Sequence, residues 1–140
     1  MADPYDLERF VQAQAPVWEA VRSELAAGSK RSHWMWFVFP QLKGLGRSAT
    51  ALHYGLASLA EAHAYAAHPV LGPRLLEATR LMLAIADRSA LQVLGSPDDL
   101  KFRSCMTLFG RAVPQHAEFR HALDRYFGGA EDERTLALLA

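Results

Sequence analysis

Apolar residues recur at helical spacing from the first turns of this chain onward. Leu7, Phe10, Val11, Val17, Trp18, Val21 and Leu25, with Gln14 among them, fall on one stripe of a 3.6-residue repeat. Asp3 stands as an N-cap, Pro4 at the first helical position and Gly28 beyond the end, which predicts one helix over residues 3–28. Pro16 removes a backbone donor and crowds the carbonyl of Gln12, so a kink or break is expected there although the apolar period runs straight through.

The same signals partition the rest. Gly44 and Gly46 make a loop, and Ser48 opens a short helix to about Leu56. Ser58 and Glu61 form a Ser-x-x-Glu capping box at the start of a helix that stops at His68 and Pro69. Gly72 and Pro73 begin another, through Leu75, Leu76, Thr79, Met82, Leu83 and Ala86, and its wide apolar face predicts the central helix. Ser89 and Gly95 bracket a helix of one to two turns. Ser96 as N-cap, Pro97 as first residue and Asp99 three positions on start a helix whose face Phe102, Cys105, Met106 and Phe109 points inward. Two more, near 115–127 and 132–139, are separated by Gly128 and Gly129. No repeat or linker interrupts the pattern, which predicts a compact all-α, multihelical single domain over residues 1–140 with about seven to eight helices.

Composition agrees, with 24 Ala and 20 Leu against 7 Val and 1 Ile, a bias toward side chains that keep their rotamer freedom in a helix. Fifteen basic residues balance fifteen acidic ones, which argues against general nucleic-acid binding or attraction to an anionic membrane. Cys105 is the single cysteine, so no intrachain disulfide forms. With no signal-like N-terminus and no long apolar run, a cytoplasmic protein is expected; its oligomeric state is not legible.

One stretch is unusual. "KRSHWMWFVFPQ" places four of the fourteen aromatic residues within Trp34 to Phe39, directly after Lys30, Arg31, Ser32 and His33. Alternation puts apolar residues on both faces, and so does a helical period, so most of the segment is enclosed by protein in either case. Phe37 to Pro40 are expected to be core and a chain turn. A buried indole N–H needs an acceptor, which makes Trp a demanding way to fill space, and Trp34 and Trp36 beside cations would suit a flat anionic ligand. Core filling is the competing expectation.

"GLGRSA" matches Gly-x-Gly-x-x-Ala, but a dinucleotide fold needs flanking strands, and Glu61 already serves the capping box. A weaker expectation is an anion nest from the backbone of Gly44 and Gly46, assisted by Arg47 and Ser48. On the next polar stripe Asp99, Arg103 and Thr107 follow at four-residue spacing with Lys101 and Ser104 adjacent, either as a cap with a solvated face or as a carboxylate held near substrate. Metal binding is not expected. His63 and His68, like His116 and His121, are five apart and point to different helix faces.

"DLERFVQAQ", "GSKRSHWMWFVFPQLKGLGRSATALHYG", "AHPVLGPRL" and "GSPDDLKFRSCMTLF" together resemble the bacterial family of domains of unknown function numbered 1810, sometimes labelled calpastatin. The resemblance covers Asp3 to Phe127 and implies a multihelical fold without implying an activity. Calpastatins are charged, proline-rich and disordered when free, whereas this chain is 51% hydrophobic with strong helical period, so the label does not fit. "RFVQAQ" is also similar to a helix motif of domains that handle NAD and ADP-ribose, but Arg9 precedes the aromatic, so no catalytic acid carries over.

These features lead to one expected site. Lys30, Arg31, Ser32, His33, Gly44, Gly46, Arg47, Ser48, Lys101 and Arg103 would hold a phosphate-bearing small molecule, Trp34 or Trp36 would stack on its ring, and Asp99 would serve a hydrolase or transferase as acid or base, with His33 a second catalytic candidate. No cofactor is implied. The alternative is a non-catalytic ligand- or protein-binding module in which the same motifs are fold determinants.

Overall fold

The computed structural model describes residues 3–140, and all regular structure among them is helical. The helices are α1 (Glu8–Gln14), α2 (Trp18–Ala26), α3 (Met35–Val38), α4 (Ala49–Tyr54), α5 (Leu59–Ala67), α6 (Leu71–Leu83), α7 (Ala90–Leu94), α8 (Asp98–Ala112), α9 (Ala117–Phe127) and α10 (Glu133–Leu139). Ten among the described residues exceed the expected seven to eight, for two reasons. Pro16 breaks the first helix outright between Gln14 and Trp18, and the aromatic run forms a turn of helix of its own as α3.

The expected 3–28 helix is corrected at its start as well. Asp6 adopts a left-handed φ of 50°, so helix begins only at Glu8 and Pro4 lies outside it. Leu7, not Asp3, is the N-cap residue, although the Asp3 carboxylate still accepts from the backbone N–H of Leu7 at 2.9 Å and of Glu8 at 3.0 Å. The apolar stripe survives the break, with Leu7, Phe10, Gln14, Trp18, Val21 and Leu25 all buried.

Three serine caps follow the sequence. Ser48, Ser58 and Ser89 each accept an N–H from the first turn, and Ser89 with Gln92 forms a reciprocal capping box. Glu61 instead reaches back to Ala57 N–H at 2.9 Å. Ser96 does not cap α8; its first turn is held by backbone bonds from Asp99 and Lys101 to the carbonyls of Gly95 and Pro97.

The centre of the fold is α8, not α6 as expected. It packs against α5, α7, α9 and α10, and Ser104 to Phe109 are buried without interruption. A helix so enclosed must satisfy its hydroxyls internally, and Ser104 and Thr107 donate to the carbonyls of Leu100 and Arg103. Burial in this core also pushes the Cys105 thiol well above its ordinary value, which makes it inert. No helix among the described residues is long and apolar enough to cross a membrane. One isolated bridge ties the segment after α3 to the end of α4: Leu56 N–H donates to Gln41 O, and Lys43 N–H to Leu56 O, both at 2.9 Å.

Candidate functional site

The aromatic run is organised by an acid that the sequence did not single out. Glu24, on α2, accepts the indole N–H of Trp34, the backbone N–H of Arg31 and Ser32, and the Ser32 hydroxyl, at distances of 2.6–3.0 Å. Partial burial pushes its carboxyl up. The four donors outweigh that and hold it at about 2, against an ordinary 4.5. Trp34 is 0% exposed and Lys30 lies over its ring, with the Lys30 ammonium paired to Asp98 at 2.8 Å. Trp34 therefore offers no face to a ligand, Ser32 and the Arg31 backbone are bound to Glu24, and Lys30 is a mostly buried structural cation. The indole acceptor required by the sequence exists, but it is supplied by Glu24 inside the fold.

A second knot absorbs Arg9. Its guanidinium donates to the carbonyls of Tyr5, Asp6, His53 and Gly55 and pairs with the buried Glu61 at 2.9 Å, which leaves no donor for a ligand. Gln14, also buried, donates to Phe37 O at 2.6 Å and Tyr65 Oη at 3.0 Å. The motif similar to NAD-handling helices is thus committed to joining α1, α3, α4 and α5.

Among several open clefts, one lies between α8, α10 and the loop that follows α3. A groove of about 270 Å³ is walled by Leu45, Pro97 and Leu100, with Gln41, Gly46, Lys101, Ser104, Asp132 and Arg134 contributing polar edges. Gln41 and Lys101 also line an adjoining slot beside Trp36 and Tyr54, whose room of about 10 Å³ suits a single water. The Lys101 ammonium sits 4.8 Å from the centre of the half-buried Trp36 ring and 3.7 Å from Asp98 Oδ1. Arg134 reaches across from α10 to Leu45 O at 3.3 Å.

Of the residues expected from sequence, the structure brings together Trp36, Gly46 and Lys101. The others are placed elsewhere. His33 is exposed and, like Asp99, lines neither the slot nor the groove. Asp99 has one carboxylate oxygen buried without a hydrogen-bond partner. Arg103 is spent on the carbonyls of Ala130 and Glu131. Ser48 caps α4 with its hydroxyl, Arg47 is exposed, and Gly44 turns the chain at φ 100° against Leu138. No group of three or more metal-ligating side chains occurs among the described residues. Gln41 and Arg134 escaped the sequence analysis because an isolated amide and an exposed helical arginine carry no local signal.

The family model for proteins of unknown function DUF1810 matches residues 4–139. The chain belongs to the DUF1810 family. A crystal structure of the conserved hypothetical protein Rv1873 from Mycobacterium tuberculosis is similar to this DUF1810 chain, with a TM-score of 0.97 and 57% identity over 98% of each chain. No curated protein matches it. The DUF1810 assignment agrees with the resemblance carried by the motifs and with the all-helical fold.

Proposed function

We propose that this DUF1810 chain is a non-catalytic binding domain for a small anionic molecule that carries a flat ring, of the nucleotide or ADP-ribose type. One observation carries the proposal: Lys101 on α8 and Arg134 on α10 line the same groove as the apolar residues Leu45, Pro97 and Leu100. Two cations from separate helices suit a phosphate, and the wall suits a ring lying against it.

The polar groups favour binding over hydrolysis or transfer. Asp132, the acid in the groove, receives the N–H and hydroxyl of Thr135 on Oδ2 as the cap of α10. Ser104 donates its proton to Leu100 O rather than to a base that would make it a nucleophile. Asp99 and His33 stand outside the groove lining.

Thermal melting with AMP, ADP-ribose and inorganic phosphate at millimolar concentration, followed by product analysis, tests this. The nucleotides are expected to raise the melting temperature of the wild-type protein, to lose that effect in Lys101→Ala and Arg134→Ala, and to be recovered unchanged. No stabilisation by any of them rejects the binding proposal. Turnover would restore the hydrolase or transferase alternative.

A further inference from the structure

We infer that Gln41 is the specificity-determining residue of this groove and that it reads a ring edge on which a hydrogen-bond donor stands beside an acceptor, as the exocyclic amine and N7 do in adenine. The inference rests on the binding function proposed above and adds to it the class of ring.

The Gln41 backbone is fixed. Pro40 before it and Leu42 after it are buried, and its carbonyl accepts from Leu56 N–H at 2.9 Å in the bridge that ties this segment to the end of α4. Its side chain is half-buried, and no hydrogen bond within the chain engages the amide among the described residues. Gln14 shows the contrast: its amide binds Phe37 O and Tyr65 Oη and is consumed by the fold. A half-buried amide left open on a rigid backbone has its recognition chemistry available for a ligand.

Position supports the same conclusion. Gln41 and Lys101 are shared by the groove and the slot, and Gln41 is the uncharged member of that pair. The slot, at about 10 Å³, is too small for a ring, so a ring lies in the groove on Leu45, Pro97 and Leu100. Its anionic group then meets Lys101 and Arg134, while its edge meets Gln41. Gly46 lets the loop pack closely against α4 and lies beside the Gln41 amide. A Cβ there would come within 2.7 Å of the Ala51 Cβ and 3.6 Å of the Gln41 amide nitrogen. A primary amide offers one acceptor and one donor in a plane, which matches a donor–acceptor edge in two bonds and an acceptor–acceptor edge in only one.

Isothermal titration with AMP and IMP separates these cases on the edge that carries N7, where IMP replaces the amine of AMP by a carbonyl and presents two acceptors, O6 and N7. The wild-type protein is expected to bind AMP about tenfold more tightly than IMP. Gln41→Leu should melt normally and bind the two within about twofold of each other, through loss of AMP affinity. Equal affinity in the wild type, or an AMP preference that persists in Gln41→Leu, overturns the role of Gln41. In that event the binding function still stands if Lys101→Ala weakens both nucleotides. Failure of the wild type to bind either one overturns both.

Discussion

Trp34 donates its indole N–H to Glu24 Oε1 across 2.9 Å, and the same carboxylate holds the two residues that precede His33. A single acid on α2 thereby fixes the entry to the aromatic helix α3. Because its carboxyl is held at about 2 when folded against an ordinary 4.5, Glu24 binds fewer protons in the folded state. Its contribution is fully present above pH 4.5 and is lost as pH falls toward 2. Urea denaturation across that window should show wild type losing more stability than Glu24→Gln, and parallel pH profiles would refute the assignment. At neutral pH Glu24→Gln is expected to cost about 2 kcal/mol, since an amide cannot accept all four donors.

Trp34 itself is a core residue. Replacement by Ala should destabilise the fold by about 3–5 kcal/mol through the cavity left behind. Trp34→Phe refills most of the space but leaves Glu24 one donor short, and an intermediate loss is expected. Chemical denaturation measures both, and a near-neutral Trp34→Ala would contradict the burial.

Arg9 and Glu61 make an almost fully desolvated ion pair, with side chains 11% and 5% exposed. Removing one partner strands the other, so Arg9→Met or Glu61→Gln should each cost about 3 kcal/mol or more. The double variant should cost less than the sum. A double-mutant cycle showing strict additivity would mean the two are not coupled.

Asp99 behaves differently from what its place in the sequence implies. A cap would cost about 0.5–2 kcal/mol on removal. Since Asp99 makes no capping bond and one of its oxygens is buried without a partner, Asp99→Asn should leave stability within about 0.5 kcal/mol of wild type. A loss near 2 kcal/mol in equilibrium unfolding would restore the cap.

What the sequence by itself determined was local. Helix existence, the break at Pro16, the serine caps at positions 48, 58 and 89 and the apolar stripe through Leu25 all follow from interactions within a few residues of one another. Even the demand that Trp34 find an acceptor was legible. Tertiary structure alone decided which acceptor it found. Glu24 is ten residues away on another helix, and its carboxylate turned Trp34 from an expected ligand wall into core. Likewise Lys101 and Arg134 face one groove only because α10 packs back on α8, a pairing set by long-range burial that no short window of residues encodes. The motif around Trp34 was satisfied by the fold, while the groove joins Gly46 and Lys101, which the sequence singled out, to Gln41 and Arg134, which it did not.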